Sequence, residues 1–503
     1  MYKQQLNDNK SVDHGQVKLQ VVQSKSKSGN DTSEASVCEK VTFTRYTNKK
    51  PLSKTYSVVD GGIVKCAAAQ MSCGSAERVS MPFSDFANEL ATQESENAFG
   101  YGVYPADMPD RVNIAIKGKE DLGTNTLSRT KDYFFYADCA GVMMIDHDPN
   151  EYGKSFTPGK LIAVLTGIHP AIGKSVRVVR GSVSAGVHLE GEKPGAGGGF
   201  HIYIPVTNAK GLEAYGALLT NHLWLNGHGF IALSENGVKL LRTCIDGAVF
   251  QPERMDFVGK PIIVGEGIVN DRLNIEYTEG GFLDTSTLHK LTEKELTKVK
   301  VLQDEAKSAI KSKAKSKRAS WAGKKLMAIV ESGVDREEAQ TEVKAMMDGE
   351  VSDLYGHFIL TLSNGDNVTV AEMLKNGAKY DGKSLSDPVE GSAYGRTTAK
   401  FYWNDGVKPV VNSLAHGIDR RYFLHDAVGE FKNQESKPNK SATKPFIGDV
   451  PKNHAVKFKH VKELKSGEIK VLATRENLEV LMKYKNIGVA YDVIKKRPVI
   501  TNV

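Results

Sequence analysis

Apolar and polar positions alternate over short distances in the first half of the chain. Four consecutive apolar residues in "GVMMIDHD" indicate a buried strand, and "GFHIYIPV" is a second strand-like run. "GLEAYGALLTNHLWLNGHG" instead repeats apolar residues at helical spacing and ends in glycine, which predicts a helix and its stop. Strands therefore mix with helices, and the pattern predicts one α/β domain over residues 36–290 after a polar lead-in at 1–35.

The pattern becomes helical from residue 291. Thr292 and Glu295 stand at capping-box spacing, which predicts a helix start there. Basic residues then dominate a helical segment that we place at 291–348. Three further segments complete the chain: a small α+β accessory domain at 349–431, a linker rich in proline, lysine and asparagine at 432–453, and a small α/β unit at 454–503, which we interpret as the start of a helicase-associated module.

Composition narrows the class of protein. With 503 residues, 40% hydrophobic and 25% charged, the chain is typical of globular proteins. The N-terminus has no signal-peptide pattern, and the longest apolar segments fall short of the roughly 20 residues that span a membrane. The five cysteines form no C-x-x-C pair, so neither a zinc site nor a disulfide framework is expected. We predict a cytoplasmic protein of a bacterial host cell, with no membrane partner.

Positive charge is concentrated in one stretch, although the net charge is only +7. Residues 306–330 contain no acidic side chain. A solvated helix face explains such a run without any ligand, whereas a surface that follows nucleic-acid phosphates is the functional alternative. Trp321 lies in this run and could stack on a base, although a packed core position is the more ordinary role. The candidate nucleic-acid-binding residues are Lys311, Lys313, Lys315, Lys317 and Arg318.

Two carboxylates end the strand in "GVMMIDHD". Because side chains alternate along a strand, Asp146 and Asp148 share one face, roughly 7 Å apart at their Cα atoms, while His147 points the other way. Such a pair suits Mg²⁺ or Mn²⁺ and could bridge two metal ions. A solvated strand end is the simpler explanation of D-x-D alone. An EF-hand is excluded, because Glu151 stands at the sixth position of the loop and Thr157 at the twelfth.

Two later strands add candidate ligands. His201 begins "HIYIPV" directly after a glycine run, where its imidazole can point out of the sheet toward a phosphate oxygen. Asp246 follows the apolar run in "LLRTCIDGAVF", which predicts a third strand ending in an acid. Taken singly, a histidine on a strand is most often a structural hydrogen-bond donor, and an aspartate at a strand end is most often a turn former. Together the three strands offer three acidic ligands and one basic group.

This order of motifs resembles the archaeo-eukaryotic primase superfamily, which includes primase-polymerases. "VVRGSVSAGV", "GFHIYIPV" and "DGAVFQPERMDF" resemble the version found in phages, plasmids and integrative elements. "SLSDPVEGSAYGRTTAKFYWNDGVKPVVNSLAHGIDRRYFL" is similar to the region after the catalytic domain, so the resemblance covers about residues 40–500. One departure is Gly199, two residues before His201, where many relatives have serine.

The resemblance implies a DNA primase or primase-polymerase of a mobile genetic element. It implies template-directed nucleotidyl transfer from NTPs or dNTPs on single-stranded DNA, with Asp146, Asp148 and Asp246 holding two Mg²⁺ or Mn²⁺ ions. His201 would bind the triphosphate of the incoming nucleotide. The further nucleotide-binding candidates are Ser182, Ser184, Arg254 and Arg129. Proteins of this type often continue into a ring-forming helicase, so a replicative helicase, fused downstream or separate, is an expected partner.

Two other functions remain open at this point. A replication-initiation or DNA-binding scaffold could keep the primase fold without catalysis. A D-x-D metal phosphohydrolase is the second alternative. Haloacid-dehalogenase phosphatases share D-x-D, but they expect Thr or Val where this chain has Asn150.

"NGAKYDGKSLSD" fits the phosphate-loop pattern G-x-x-x-x-G-K-[ST] between Gly377 and Ser384. A working phosphate loop follows a buried strand and begins a helix. Here the preceding "VTVAEMLK" is helical, and Pro388 with nearby glycines follows, so no helix can begin there. The sequence predicts a turn at this point and no ATPase site in the chain.

Overall fold

The computed structural model describes residues 40–428, except 60, 67–70, 151, 193–197, 272–274, 349–350, 405–407 and 418. Beyond this range it describes only the backbone of the short strands at 20–21, 461–463, 469–471, 487–492 and 497–502. The chain divides into two compact units, Met1–Glu430 and Phe431–Val503. The predicted linker at 432–453 lies outside the described residues, as does the lead-in at 1–35 apart from its one short strand.

A mixed sheet of ten strands forms the centre of the first unit. The strands up to residue 290 are β1 (Gln20–Val21), β2 (Lys40–Thr47), β3 (Thr55–Val59), β4 (Gly62–Cys66), β5 (Gly74–Pro82), β6 (Asn97–Gly100), β7 (Arg111–Ala115), β8 (Thr126–Ser128), β9 (Gly141–His147), β10 (Arg177–Gly181), β11 (Val187–Leu189), β12 (Phe200–Val206), β13 (Gly229–Leu233), β14 (Lys239–Thr243), β15 (Ile262–Val264), β16 (Ile268–Asn270) and β17 (Glu276–Thr278). The strand order in the ten-stranded sheet is β1-β17-β10-β12-β9-β2-β5-β7-β8, and β6 also pairs with β2.

Helices pack on this sheet through apolar faces. They are α1 (Phe83–Thr92), α2 (Pro158–Ile168), α3 (Ala171–Lys174) and α4 (Leu212–Leu225). Helix α1 buries Phe83, Phe86 and Leu90, whose spacing places them on one helical face against the sheet core. Helix α4 is the helix predicted from periodicity, and Gly227 just beyond it has φ +75°, the left-handed geometry that ends helices. The predicted mixed α/β class is confirmed.

The segment after residue 290 begins with three helices, α5 (Glu293–Ala309), α6 (Lys311–Glu331) and α7 (Arg336–Asp348). The predicted capping box is present, because Thr292 accepts from the Glu295 backbone and Glu295 accepts from the Thr292 backbone. Trp321 of α6 is 5% exposed, packs in the core shared with the accessory strands and donates from Nε1 to the Val389 carbonyl at 3.2 Å. It is therefore a core residue.

The accessory region is a small α+β fold. Its elements are β18 (Asp353–Leu354), β19 (Ile359–Thr361), β20 (Asn367–Thr369), α8 (Val370–Lys375), α9 (Gly377–Tyr380), β21 (Ser384–Leu385), β22 (Ala399–Tyr402), β23 (Val410–Ser413) and β24 (Arg420–Leu424). Five of the strands form one sheet in the order β18-β24-β23-β22-β21. The phosphate-loop-like segment runs helix, turn, strand: α9 precedes Gly382, which has φ +72°, and β21 follows. This order is the reverse of a phosphate loop.

The second unit is described only through two hairpins. Strand β25 (Val461–Glu463) pairs antiparallel with β26 (Ile469–Val471), and β27 (Ile487–Asp492) pairs antiparallel with β28 (Arg497–Asn502). In the part of the chain that the structure describes, every helix is too short or too polar to cross a membrane.

Candidate active site

Asp146 and Asp148 stand at the end of β9, as predicted. Residues 142–145 are at most 7% exposed, so the apolar run is a fully buried central strand. His147 is 0% exposed on the opposite face, while Asp148 is exposed and the Asp146 side chain is 20% exposed. The alternation predicted for the D-x-D segment is confirmed.

His147 joins β9 to the segment that carries the third acid. Its Nε2 lies 3.0 Å from the Phe156 backbone N–H and accepts from it. The proton is therefore on Nδ1, which donates to the Cys244 carbonyl at 2.6 Å. Two residues further on, the Asp246 backbone N–H donates to the Asp146 carbonyl at 2.9 Å. These contacts bring Asp246 to the strand end that carries Asp146.

The predicted strand leading directly into Asp246 is wrong in its detail. Strand β14 ends at Thr243 and pairs with β13 in a separate two-stranded sheet. The chain then bends, because the Thr243 hydroxyl donates to the Ile245 carbonyl at 2.9 Å. Asp246 is the N-cap of a short 3₁₀ helix and accepts from the Ala248 N–H at 3.0 Å. Asp246 therefore both forms the turn and lies beside Asp146.

His201 lies directly opposite Asp146 on the neighbouring strand. The two residues are partners in the antiparallel register of β12 and β9. His201 Nε2 lies 3.4 Å from Asp146 Oδ1, and its Nδ1 lies 3.0 Å from the Tyr203 hydroxyl. The side chain is 13% exposed, so one edge of the ring faces the acids while the other is held within the protein.

Asp256 anchors this arrangement and was not a candidate from the sequence. Its side chain is 1% exposed and accepts hydrogen bonds from the hydroxyls of Tyr101 at 2.7 Å and Tyr203 at 2.8 Å. Burial favours its neutral form, but the charge of His201 and the hydrogen bonds outweigh burial and lower its pKa. Of the two tyrosines that bind Asp256, Tyr203 could have been found from the sequence, because it stands two residues after His201 on the same strand and therefore shares its face.

The surroundings of Asp146 disfavour the charged form of its carboxylate. Burial is the main cause that raises its pKa to about 7, the carboxylates of Asp148 and Asp246 raise it further, and His201 opposes the shift. Its Oδ1 is buried and accepts no hydrogen bond from any residue that the structure describes. A buried carboxylate oxygen that accepts no hydrogen bond, has only the His201 Nε2 at 3.4 Å and lies beside other carboxylates suits a hard divalent cation. No group of three or more His, Cys, Asp or Glu side chains that could hold a metal ion occurs among the described residues.

Gly199 separates Asp148 from the serine pair. A Cβ at Gly199 would lie 2.4 Å from Asp148 Oδ1 and 3.2 Å from Ser182 Oγ, so a side chain at this position would displace the Asp148 carboxylate. Ser182 is buried, its backbone N–H donates to the Gly199 carbonyl at 2.8 Å, and its hydroxyl lies 3.2 Å from that of Ser184. The structure therefore brings Ser182 and Ser184 to the acid cluster through β10.

The arginine candidates occupy different surroundings. Arg129 Nη1 donates to the Glu253 carbonyl at 2.5 Å, so it supports the loop before Arg254. Arg254 Nε lies 3.4 Å from the Ala248 carbonyl, beside the turn capped by Asp246. Arg180, which sequence reasoning missed, is 4% exposed, pairs with His201 across β10 and β12, and has no hydrogen bond at Nη1 among the described residues.

The basic helix α6 splits into two groups of cations. Lys317 pairs with Glu235 at 3.0 Å, and Arg318 Nη2 donates to the Met347 carbonyl at 2.6 Å. Both residues therefore serve packing of the helix. Of the five candidate residues, those that are exposed are Lys311, Lys313 and Lys315. They lie on the same helix as a cleft of about 400 Å³, whose lining includes Lys313, Lys317 and three serines.

Comparison of the chain with protein-family models, with curated proteins and with solved structures found no match.

Proposed function

We propose that the chain is a metal-dependent DNA primase or primase-polymerase of a mobile genetic element, with the archaeo-eukaryotic primase fold. The observation that carries the proposal is the meeting of three dispersed motifs at one strand end. Asp146 lies opposite His201 in the β9–β12 register, and the Asp246 backbone is bonded to the Asp146 carbonyl. The motif order that prompted the resemblance is thus matched by proximity in space.

In this proposal Asp146, Asp148 and Asp246 hold Mg²⁺ or Mn²⁺. The cations would supply activation of the attacking 3′-hydroxyl and charge neutralisation at the triphosphate. The Oδ1 of Asp146 supports a ligand role, since it is buried, accepts no hydrogen bond from the described residues and has only the His201 Nε2 beside it at 3.4 Å. Burial and the neighbouring carboxylates raise the pKa of Asp146 to about 7, and a bound cation would displace the proton that the carboxyl holds below that pH.

His201 positions the triphosphate in this mechanism. Tyr203 donates its own proton to Asp256, so the Tyr203 oxygen accepts from His201 Nδ1–H and fixes the ring. Nε2 is left at the edge that faces the acids. Ser182 contributes its hydroxyl next to Gly199, in place of the serine that many relatives have at that position. Buried Arg180, with Nη1 unbonded among the described residues, supplies positive charge behind His201.

The template path is proposed over helix α6. The three exposed lysines carry the charge that would contact the backbone of single-stranded DNA. Substrates would be NTPs or dNTPs, and a replicative helicase, fused or separate, would be the partner at the fork.

The test is nucleotide incorporation on single-stranded and on primed templates with Mg²⁺ or Mn²⁺. Asp148→Ala is expected to lose activity by orders of magnitude, because it removes a metal carboxylate. Asp107→Ala is the matched control, since Asp107 is exposed and distant in sequence from the acids. Metal-dependent product from wild type that Asp148→Ala lacks supports the proposal. DNA binding without incorporation would leave the scaffold alternative, and phosphate release without template would leave the phosphohydrolase.

A further inference from the structure

The accessory region reaches the turn that carries the third acid. The Arg242 Nη2, on β14, donates to the His416 carbonyl at 3.2 Å. A Cβ at Gly417 would lie 2.4 Å from Arg254 Nη2 and 3.2 Å from the Ala248 Cβ. Ala248 is the residue whose N–H is capped by Asp246. Residues 416 and 417 are therefore seated directly on the Asp246 turn.

Tyr394 and His416 form an aromatic pair at this contact. The rings of Tyr394 and His416 have centroids 4.6 Å apart, and the Tyr394 hydroxyl accepts from the His416 backbone N–H at 2.8 Å. Tyr394 is 42% exposed and the His416 side chain 23% exposed, so the pair presents ring surface to solvent. Partial burial is the main cause that raises the pKa of Tyr394, and Asp246 adds to the shift, which places that carboxylate within electrostatic reach.

The backbone at His416 is unfavourable and is held in place. His416 has φ +57° and ψ +19°, a left-handed conformation that costs free energy for a residue with a side chain. Three contacts keep it there: the Arg242 bond to its carbonyl, the Tyr394 bond to its N–H, and a 3.2 Å approach of its Nε2 to buried Glu390. Backbone strain that neighbouring residues hold in place is typical of functional sites.

We propose that Tyr394 and His416 form a stacking platform for a base of the DNA strand bound at the three acids. This inference rests on the proposed function and adds the accessory region to the site. Single-stranded nucleic acid is held by aromatic rings under its bases and by cations along its backbone. Arg396, two residues after Tyr394, makes no hydrogen bond or ion pair within the described part of the chain and is available to a phosphate.

The experiment measures DNA binding directly, with the full chain and without nucleotide. Fluorescein-labelled oligothymidylate reports affinity by anisotropy, and 2-aminopurine, placed either at the primer 3′ end or in the template, reports stacking by quenching. Tyr394→Ala is expected to weaken binding by about tenfold or more and to abolish the quenching of one probe, since base stacking on an aromatic side chain is lost. Which probe changes identifies the strand.

Two variants separate stacking from folding. Tyr394→Phe keeps the ring and loses the hydroxyl bond to the His416 N–H, while the Arg242 and Glu390 contacts still hold His416, so its DNA affinity should stay much closer to wild type than that of Tyr394→Ala. Tyr394→Leu keeps bulk without a π face and should bind like the alanine variant. Phe423→Ala is the matched control, because Phe423 is an aromatic residue of the same accessory region, 39% exposed, on β24 beside Val410. Unchanged affinity and quenching in Tyr394→Ala would overturn the platform even if wild type incorporates nucleotides. Tyr394-dependent stacking in a protein that never incorporates would keep the platform and overturn the catalytic proposal.

Discussion

Gly199→Ala is the substitution whose effect the structure defines most sharply. The new Cβ would lie 2.4 Å from Asp148 Oδ1, whereas an ordinary contact begins near 3.4 Å. The carboxylate oxygen must therefore move by about 1 Å, and a displacement of that size at a reacting centre costs about 100-fold in rate. In free energy this is about 2.7 kcal/mol on the barrier.

Stability should change little in the same variant. Asp148 is exposed and can rotate away, and the other contacts of the new Cβ, 3.1 Å to the His147 carbonyl and 3.2 Å to Ser182 Oγ, need shifts of a few tenths of an ångström. Replacing glycine also lowers the entropy of the unfolded chain, which is worth about 0.4–1 kcal/mol in favour of folding. These two effects oppose each other, so we expect a melting temperature close to that of wild type.

The assay is single-turnover primer extension at saturating metal, together with Mn²⁺ binding followed by electron spin resonance. Both the rate of primer extension and the amount of bound Mn²⁺ should fall in Gly199→Ala. Gly211→Ala is the control, because a Cβ at Gly211 meets nothing within 4 Å and the backbone there has φ −87°. A Gly199→Ala protein that extends primers and binds Mn²⁺ like wild type would refute the placement of Asp148 at the reacting centre.

Three further predictions test other parts of the structure. His147→Ala should lower the free energy of unfolding by about 2–4 kcal/mol, because it leaves the buried Cys244 carbonyl and the part-buried Phe156 N–H unbonded; a urea titration with an unchanged midpoint would contradict this. Burial lowers the pKa of Lys325 to about 8 from 10.5, so the unfolded chain binds more protons between these values and stability should rise with pH across that window. Lys325→Met should therefore stabilise the protein at pH 7 by up to about 3 kcal/mol in thermal or urea unfolding, with the gain vanishing near pH 10.5; a constant gain would argue against the shift. Replacing three exposed lysines by alanine should reduce the salt dependence of single-stranded DNA binding by about two in log–log slope, while Lys317→Ala should not; these lysines are Lys311, Lys313 and Lys315.

The local pattern of apolar and polar residues was sufficient to predict the strand that carries Asp146 and His147. The apolar run before Asp146 predicts a buried strand, and strand alternation predicts that His147 faces away from the two carboxylates; both are confirmed. The capping box at Thr292 and the stop after α4 are likewise local, because their hydrogen bonds join residues only a few positions apart.

The tertiary structure decided what the sequence left open. Asp246 reaches Asp146 through a backbone bond and the His147 contact to Cys244, which join residues about a hundred positions apart. Asp256 shows the same limit, since its role depends on the hydroxyls of Tyr101 and Tyr203, which are distant from it in the sequence. The sequence by itself determined the buried strand before Asp146 and the opposite faces that Asp146 and His147 take. Which of them meet depends on strand register and long-range hydrogen bonds, and no local period encodes these.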